Sequence, residues 1–168
     1  MKQKSVLRVA AALVVCSMFG ASAYASWQYG NSVDSMTGKQ SDFATVESSN
    51  SLSLDFPYKG KNYGHLIVRK HPRYGLSVVF AIDQGQTMCG TSSGCDLLVR
   101  FDDRPAVQYS GSASSDHDPK VVFLNNASRF IAEAAKAKKI LVQVSLFHAG
   151  SPILEFYTPD TLQWGAKK

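Results

Sequence analysis

The sequence has few charged residues, only three cysteines and no long apolar run after its first 25 residues. A membrane-spanning helix needs about 20 consecutive apolar residues, so none is expected between residues 26 and 168. There is also no glycine-rich loop of the kind that cradles a phosphate or a dinucleotide. The histidines lie singly along the chain, whereas a metal site needs three or four converging ligands. We therefore expect no cofactor and no bound metal.

The N-terminus has the three zones of a secretory signal peptide. Three basic residues precede a short apolar run, and Ala23-Tyr24-Ala25 offers small residues at the two positions that a signal peptidase inspects. Cleavage is predicted between Ala25 and Ser26. Residues 1–25 are therefore interpreted as a signal peptide, and residues 26–168 as a single β-rich domain that is periplasmic or secreted.

Cys16 stands near the end of that apolar run, roughly where a lipoprotein cysteine would lie. A lipobox has a small residue directly before its cysteine, and Val15 is not small, so lipidation is not expected. Removing residues 1–25 takes away three basic residues and no acidic one, which lowers the formal charge from +5 to +2. A near-neutral surface argues against a nucleic-acid partner, because phosphate binding needs a dense basic face.

Signal cleavage would leave two cysteines, Cys89 and Cys95, separated by Gly-Thr-Ser-Ser-Gly. In an oxidising compartment these thiols are expected to form a disulfide, since the glycines let the chain fold back on itself. Closing so short a loop contributes about 2 kcal/mol in the chain-entropy model, so the bond shapes a loop more than it holds the fold. A redox-active pair is the alternative, but the spacing is not that of Cys-x-x-Cys, and no helix start follows.

The pattern from residue 26 onward is typical of an antiparallel β protein. Short alternating or β-branched runs, separated by Gly, Pro, Asn and Asp, predict strands in a β-sandwich or, alternatively, an open barrel. Leu52, Leu54 and Phe56 fall on every second position, which predicts a strand with one buried face. Residues 78–82 are continuously apolar, as expected of a central strand covered on both sides. A late strand is predicted over residues 140–147.

One helix is predicted to interrupt the strands. It begins at Asn125 or Asn126, either of which is a good N-cap, and runs to about Lys138. Its apolar residues recur at three- and four-residue spacing, so the helix would cover one end of the sheet. Three lysines in and just after its last turn are explained by the helix dipole, which favours cations there.

Arg69, Lys70, His71 and Arg73 bring four potential cations into one predicted loop, and Tyr74 follows them. A loop held on a rigid sheet is a common place for ligand contacts, so these five are candidate ligand-binding residues. They could receive an acidic group of a glycan, a lipid headgroup or a protein. The alternative is a solvated hairpin whose charges keep an exposed edge from pairing with other chains.

Two acidic stretches are candidates for catalysis. Asp102 and Asp103 join two apolar runs, and Asp116-His117-Asp118 brings an imidazole close to carboxylates. Paired carboxylates act as acid and base where burial separates their pKa values, and nothing in the sequence supplies such a cleft. We interpret both stretches as hydrated turns and predict no catalytic residue.

Five short motifs are spread along the chain. They are Trp27, Asp34-Ser35-Met36-Thr37-Gly38-Lys39, Asp55-Phe56-Pro57-Tyr58, Gly85-Gln86 before Cys89, and Val99-Arg100-Phe101-Asp102-Asp103. With the late helix and strand pair, they resemble an uncharacterised group of small exported proteins of Gram-negative bacteria, a resemblance that implies export but assigns no chemical role to any residue. The early Trp, the paired cysteines and the helix also look similar to periplasmic accessory proteins associated with type VI secretion.

These observations favour a non-catalytic exported protein that binds another cell-envelope component, a protein or a glycan. The contacts are predicted in loops at one end of the sandwich. The basic loop and the Cys89–Cys95 loop are the best candidates, because a disulfide lowers the entropy lost on binding. Two alternatives stay open. One is a hydrolase of envelope polymers that uses Asp102, Asp103 or Asp116 with His117. The other is an inhibitor or immunity-type protein directed against a secreted toxin or enzyme.

Overall fold

Antiparallel strands are the main secondary structure of the fold, as predicted. The computed structural model describes residues 26–165, so the predicted signal peptide and Cys16 lie outside the described residues. The strands of the main sheet are β1 (Gln28–Val33), β2 (Gln40–Glu47), β5 (Gly64–His71), β6 (Gly75–Ile82), β7 (Cys95–Phe101), β8 (Val107–Ala113), β9 (Val121–Leu124), β10 (Lys139–Gln143) and β11 (Ile153–Tyr157). Two short strands, β3 (Leu52–Ser53) and β4 (Lys61–Asn62), pair separately.

The nine strands form one antiparallel sheet in the order β1-β2-β5-β6-β9-β8-β7-β10-β11. This sheet folds over, so that its two halves face each other across the core. A Cβ atom on Gly64 of β5 would lie 2.6 Å from the Cδ1 atom of Leu154 in β11, which measures how closely the halves approach. β1 and β11 do not pair, so the sheet is not closed into a barrel. The predicted sandwich is confirmed.

The apolar run at residues 78–82 forms the middle of β6, which is central in the sheet as predicted. Val78 and Phe80 are fully buried and point into the core. Val79 points to the outer face and is only 6% exposed. Its partners on the neighbouring strands are Ile67 and Phe123, whose side chains share that face. Cross-strand neighbours on the outer face therefore account for the uninterrupted run.

The single helix of the described residues is α1 (Ala127–Ala134). It begins after the N-cap Asn126, as predicted, but ends four residues before Lys138. It stops there because the Lys138 N–H donates to Asp102 Oδ1 and Lys139 already belongs to β10. The three lysines therefore lie beyond the last helical turn. No helix within residues 26–165 has the length and apolar character needed to cross a membrane.

Turns and loops collect at two ends of the sandwich. The helix end comprises α1 and the turns at residues 34–39, 72–74 and 102–106. The disulfide end comprises the segments at residues 48–63, 83–94, 114–120 and 144–152. Because each strand of the main sheet runs from one end to the other, the segments before and after one strand lie at opposite ends.

Candidate functional site

The five predicted ligand-binding residues do not share one loop. Arg69, Lys70 and His71 are the last residues of β5, and only Arg73 and Tyr74 lie in the turn that leads to β6. Successive side chains of a strand point to opposite faces of the sheet, so Arg69 and Lys70 diverge. The structure therefore divides the predicted cluster between two faces and a turn.

The side chains of this basic turn contact one another. His71 Nδ1 accepts hydrogen bonds from the backbone N–H groups of Arg73 and Tyr74, at 3.1 and 3.3 Å. The His71 and Tyr74 rings stack 4.7 Å apart, and the Arg73 guanidinium lies 5.4 Å from the centre of the Tyr74 ring. The Arg69 guanidinium lies 5.8 Å from the centre of the Phe123 ring on the outer face. The side chains of this hairpin tip are therefore held by contacts with one another and with the neighbouring strand.

The predicted disulfide is confirmed, and it lies at the other end of the sandwich. Cys89 and Cys95 are bonded, with Cα atoms 4.6 Å apart. Two backbone hydrogen bonds between Gly90 and Gly94, at 3.2 and 3.0 Å, close the loop further. β6 separates the basic turn from the loop segment at residues 83–94. The two loops therefore do not form the single contact surface that the sequence predicted.

The disulfide loop contains a Gly-x-Ser-x-Gly sequence, Gly90-Thr91-Ser92-Ser93-Gly94. In serine hydrolases this pattern places a nucleophile in a sharp turn between a strand and a helix. Here the five residues form a hairpin tip inside the disulfide, and a strand, β7, follows. Ser92 is exposed and hydrogen-bonds to no histidine within residues 26–165. The loop therefore is not a nucleophile turn of that kind.

A cleft of about 150 Å³ opens at the disulfide end. Three segments that are distant in sequence line it, at residues 54–58, 85–86 and 146–149. The Phe147 N–H donates to the Gln86 carbonyl at 2.8 Å, which joins the second segment to the third. Asn62 is fully buried, and its side-chain amide donates to the Tyr58 carbonyl at 2.9 Å, which fixes the first segment. The cleft is therefore held by hydrogen bonds and not by packing alone.

The surface around the cleft is apolar and exposed. Phe56 is 81% exposed and Phe147 is 50% exposed, and both line the cleft. Met88 is 57% exposed; it follows Gln86 of the cleft wall by two residues and lines a neighbouring cavity. The His148 ring packs edge-on against the Phe147 ring, with ring centres 4.0 Å apart. Large apolar side chains that gather at one surface commonly mark an interaction site. We refer to the cleft together with Phe56, Met88 and Phe147 as the apolar rim.

The apolar rim arises where two strand predictions are wrong. The strand predicted to bury Leu52, Leu54 and Phe56 on one face ends at Ser53, and the chain then turns away from the sheet. Phe56 consequently lies at the surface. The strand predicted over residues 140–147 ends at Gln143, and the residues beyond it form the third wall of the cleft.

The acidic stretches do not come together. Asp102 lies in a turn at the helix end, where its Oδ1 atom accepts two backbone N–H groups at 2.9 Å, and Asp103 beside it is exposed. Asp116 and His117 lie in a loop at the disulfide end, where Ser114 Oγ donates to the Asp116 carboxylate. β8 separates the two stretches. Asp102 and Asp103 therefore do not converge with His117, and Asp116 and His117, although adjacent, are both exposed. Within residues 26–165, no group of three or more His, Cys, Asp and Glu side chains could hold a metal ion.

One histidine and one carboxylate do form a pair. His65 Nε2 lies 2.8 Å from Asp83 Oδ1, and the Tyr63 N–H donates to Asp83 Oδ2 at 2.8 Å. Burial raises the pKa of the Asp83 carboxyl, but hydrogen bonds from Tyr63 and His65, with nearby positive charge, outweigh burial. The pKa of Asp83 therefore lies below its ordinary value of 3.8. The pair ties the start of β5 to the loop that follows β6.

We expect Asp83→Asn to lower stability more at neutral pH than in acid. A carboxyl whose pKa is lower in the folded state stabilises the fold above its unfolded pKa, and this stabilisation disappears as the pH falls through the folded pKa. The loss at pH 7 should be about 1 kcal/mol or less, because solvent screens a carboxylate that is 38% exposed. Urea unfolding at pH 7 and at about pH 3 measures the change. An equal loss of stability at both pH values would mean that the loss comes from altered packing and hydrogen bonding and not from the missing charge of the carboxylate.

No family model, curated protein or solved structure matches the chain. Arguments about function therefore depend on the geometry of the described residues. This geometry offers two different surfaces: a basic turn at the helix end, whose side chains contact one another, and a cleft at the disulfide end with exposed apolar side chains.

Proposed function

We propose that the chain is an exported, non-catalytic protein that binds another component of the cell envelope at the disulfide end of the sandwich. The observation that carries this proposal is the exposure of Phe56 and Phe147 on a concave surface, with the exposed Met88 two residues after Gln86 of its wall. Monomeric soluble proteins rarely expose several large apolar side chains together unless a partner covers them.

The side chains of the apolar rim favour a protein over a glycan. Aromatic residues and methionine are enriched at the centres of protein interfaces, where aspartate, glutamate and lysine are depleted. Phe56, Met88 and Phe147 have no side-chain donor for a sugar hydroxyl. A glycan would depend on the polar groups of the cleft, chiefly Asp55 and Gln86. We therefore name a protein as the partner and keep a glycan as the competing result.

The disulfide supports binding by ordering the segment next to the cleft. The Thr87 backbone N–H and hydroxyl both donate to the Pro119 carbonyl at 2.8 Å, and the Met88 N–H donates to the Ser145 carbonyl at 2.8 Å. Cys89 is then bonded to the first residue of β7. A segment already fixed at both sides loses little conformational entropy when a partner docks. Disulfides also persist in the periplasm and outside the cell, in agreement with the proposed export.

The test is a binding experiment with three forms of residues 26–168, the exported chain, each purified with the disulfide intact. Wild type, Phe56→Ala/Phe147→Ala and the control Arg69→Ala/Lys70→Ala/Arg73→Ala are immobilised and exposed to periplasmic and solubilised envelope extracts. We expect one protein to be retained by wild type and by the control. The phenylalanine variant should retain it at least about tenfold less, since buried aromatic anchors dominate protein interfaces.

The other outcomes are informative in different ways. Retention that is lost only in the basic variant would place the site at the helix end, and retention by none of the forms would contradict a binding function. A retained polysaccharide would replace the protein partner by a glycan, and a secreted toxin or enzyme would select the inhibitor hypothesis. Phe56 and Phe147 are exposed, so an unchanged melting temperature is expected for that variant and shows that it is folded.

A further inference from the structure

The two edges of the nine-stranded sheet differ. β11 is covered, because Ser49 and Asn50 hydrogen-bond to its backbone at 2.7 to 2.9 Å. β1, at the opposite edge, pairs with β2 alone. Within residues 26–165, no group hydrogen-bonds to the backbone along the other side of β1.

The turn after β1 shows which backbone groups face this open side. The Asp34 N–H donates to the Lys39 carbonyl at 2.9 Å. In an antiparallel ladder, residues that bond to the partner strand alternate with residues that do not. The even-numbered residues of β1 therefore bond to β2. Tyr29, Asn31 and Val33 direct their N–H and C=O groups outward.

The open edge of β1 lacks the features that prevent strand pairing. Native edges are commonly protected by charged side chains, proline or a bulge. β1 consists of Gln-Tyr-Gly-Asn-Ser-Val, without charge or proline, and its register with β2 is unbroken. Tyr29 and Val33 are 52% and 59% exposed, and the contact of the Gln163 N–H with Tyr29 involves only the hydroxyl group.

We propose that β1 pairs with β1 of a second copy of this chain, antiparallel, about a two-fold axis at Asn31. In this register Tyr29 lies opposite Val33 of the partner subunit, and Asn31 lies opposite its own counterpart. It is the register in which all three outward-facing residues bond, with two aromatic–β-branched pairs and no like charges opposite each other. This self-complementarity is what selects a second copy as the occupant, since a two-fold contact uses the same surface on both subunits.

The dimer is expected to be reversible, because two six-residue strand edges form a small interface. Sedimentation velocity on the exported chain, from about 10 µM to about 1 mM, should show the mass rising from monomer to dimer. A wild-type chain that stays monomeric throughout this range would overturn the proposal. This would hold even if a different protein were found to pair with the edge of β1.

Two substitutions at Asn31 test the two-fold register. Asn31→Lys and Asn31→Asp each place like charges opposite one another in a homodimer, so each variant alone should be monomeric where wild type is dimeric. An equimolar mixture sets an ammonium opposite a carboxylate and should recover the dimer. Gln108→Lys, an exposed change on β8 in the middle of the sheet, is the charge-matched control and should dimerise like wild type.

The Asn31 variants can also contradict the proposal. A dimer that survives Asn31→Lys would show that another surface joins the two copies, and a mixture that stays monomeric would overturn the register. Asn31 is exposed, so unchanged circular dichroism is expected for both variants. The edge lies apart from the apolar rim, so neither result depends on the proposed envelope partner.

Discussion

Replacing Gly94 by alanine is expected to lower the free energy of unfolding by about 2–4 kcal/mol, from backbone strain and overpacking together. Gly94 has a φ of +66°, where a side chain costs roughly 1–2 kcal/mol. An added Cβ would also lie 2.7 Å from the Gly111 carbonyl oxygen. Gly111 is paired with Cys95 and with Leu124, so its carbonyl cannot move without disturbing β8 and both of its neighbours.

Gly38→Ala is the matched control for Gly94→Ala. Gly38 has a φ of +65°, and nothing lies within 4 Å of an added Cβ. This variant should lose only the conformational part, roughly 1–2 kcal/mol. Urea unfolding of both oxidised proteins measures the difference. Equal losses would mean that the contact with Gly111 adds nothing.

Phe130→Ala is expected to lower the free energy of unfolding by about 3–5 kcal/mol. Phe130 is the largest buried side chain of α1 and is fully buried. Its ring centre lies 5.4 Å from that of Phe101 and 5.9 Å from that of Tyr109. Those partners belong to β7 and β8, whose backbones are fixed in the sheet, so the cavity cannot close by a small movement.

Ser128→Ala, an exposed change on the same helix, separates the loss of packing from the small gain in helix propensity that both substitutions bring. It should alter stability by no more than about 0.5 kcal/mol. Thermal and urea unfolding of both variants provide the comparison. A loss of less than about 1 kcal/mol for Phe130→Ala would show that α1 contributes little to the core, contrary to the packing described above.

The features that the sequence predicts well depend on neighbours along the chain. Alternation of apolar residues predicts most strands, and the N-cap Asn126 predicts where α1 begins. Cys89 and Cys95 lie close in sequence, and the glycines between them allow the chain to turn back. Each of these is a local property, so no knowledge of distant contacts is required.

The features that it does not predict depend on distant contacts. Leu52, Leu54 and Phe56 alternate like a strand, yet the pairing partner β4 spans only two residues, so Phe56 leaves the sheet. Arg129 and Glu133 are spaced as an ion pair on α1, but Glu133 bonds to Arg104 in the turn before β8. The pattern of residues along one segment does not show which distant segment will pair with it or contact it.

The basic cluster illustrates the same limit in the opposite direction. Arg69, Lys70 and His71 are adjacent in sequence, which suggests a common surface. Because they belong to β5, the alternation of a strand sends neighbouring side chains to opposite faces. Adjacent residues share one surface in a loop, but in a strand they lie on two faces. The prediction of a single loop was wrong because β5 continues to His71, through residues predicted to lie in that loop.

The cleft joins segments separated by nearly one hundred positions, at residues 54–58, 85–86 and 146–149. A partly folded chain that has not yet brought its last strands into place lacks the third wall of this surface, at residues 146–149. Any ligand of the cleft will therefore recognise only the completed fold, and it will stabilise that fold by mass action. A chain that has not finished folding should thus not bind a ligand of the cleft. Ligand-induced protection from proteolysis should extend through the whole domain and not only through the loops that touch the ligand.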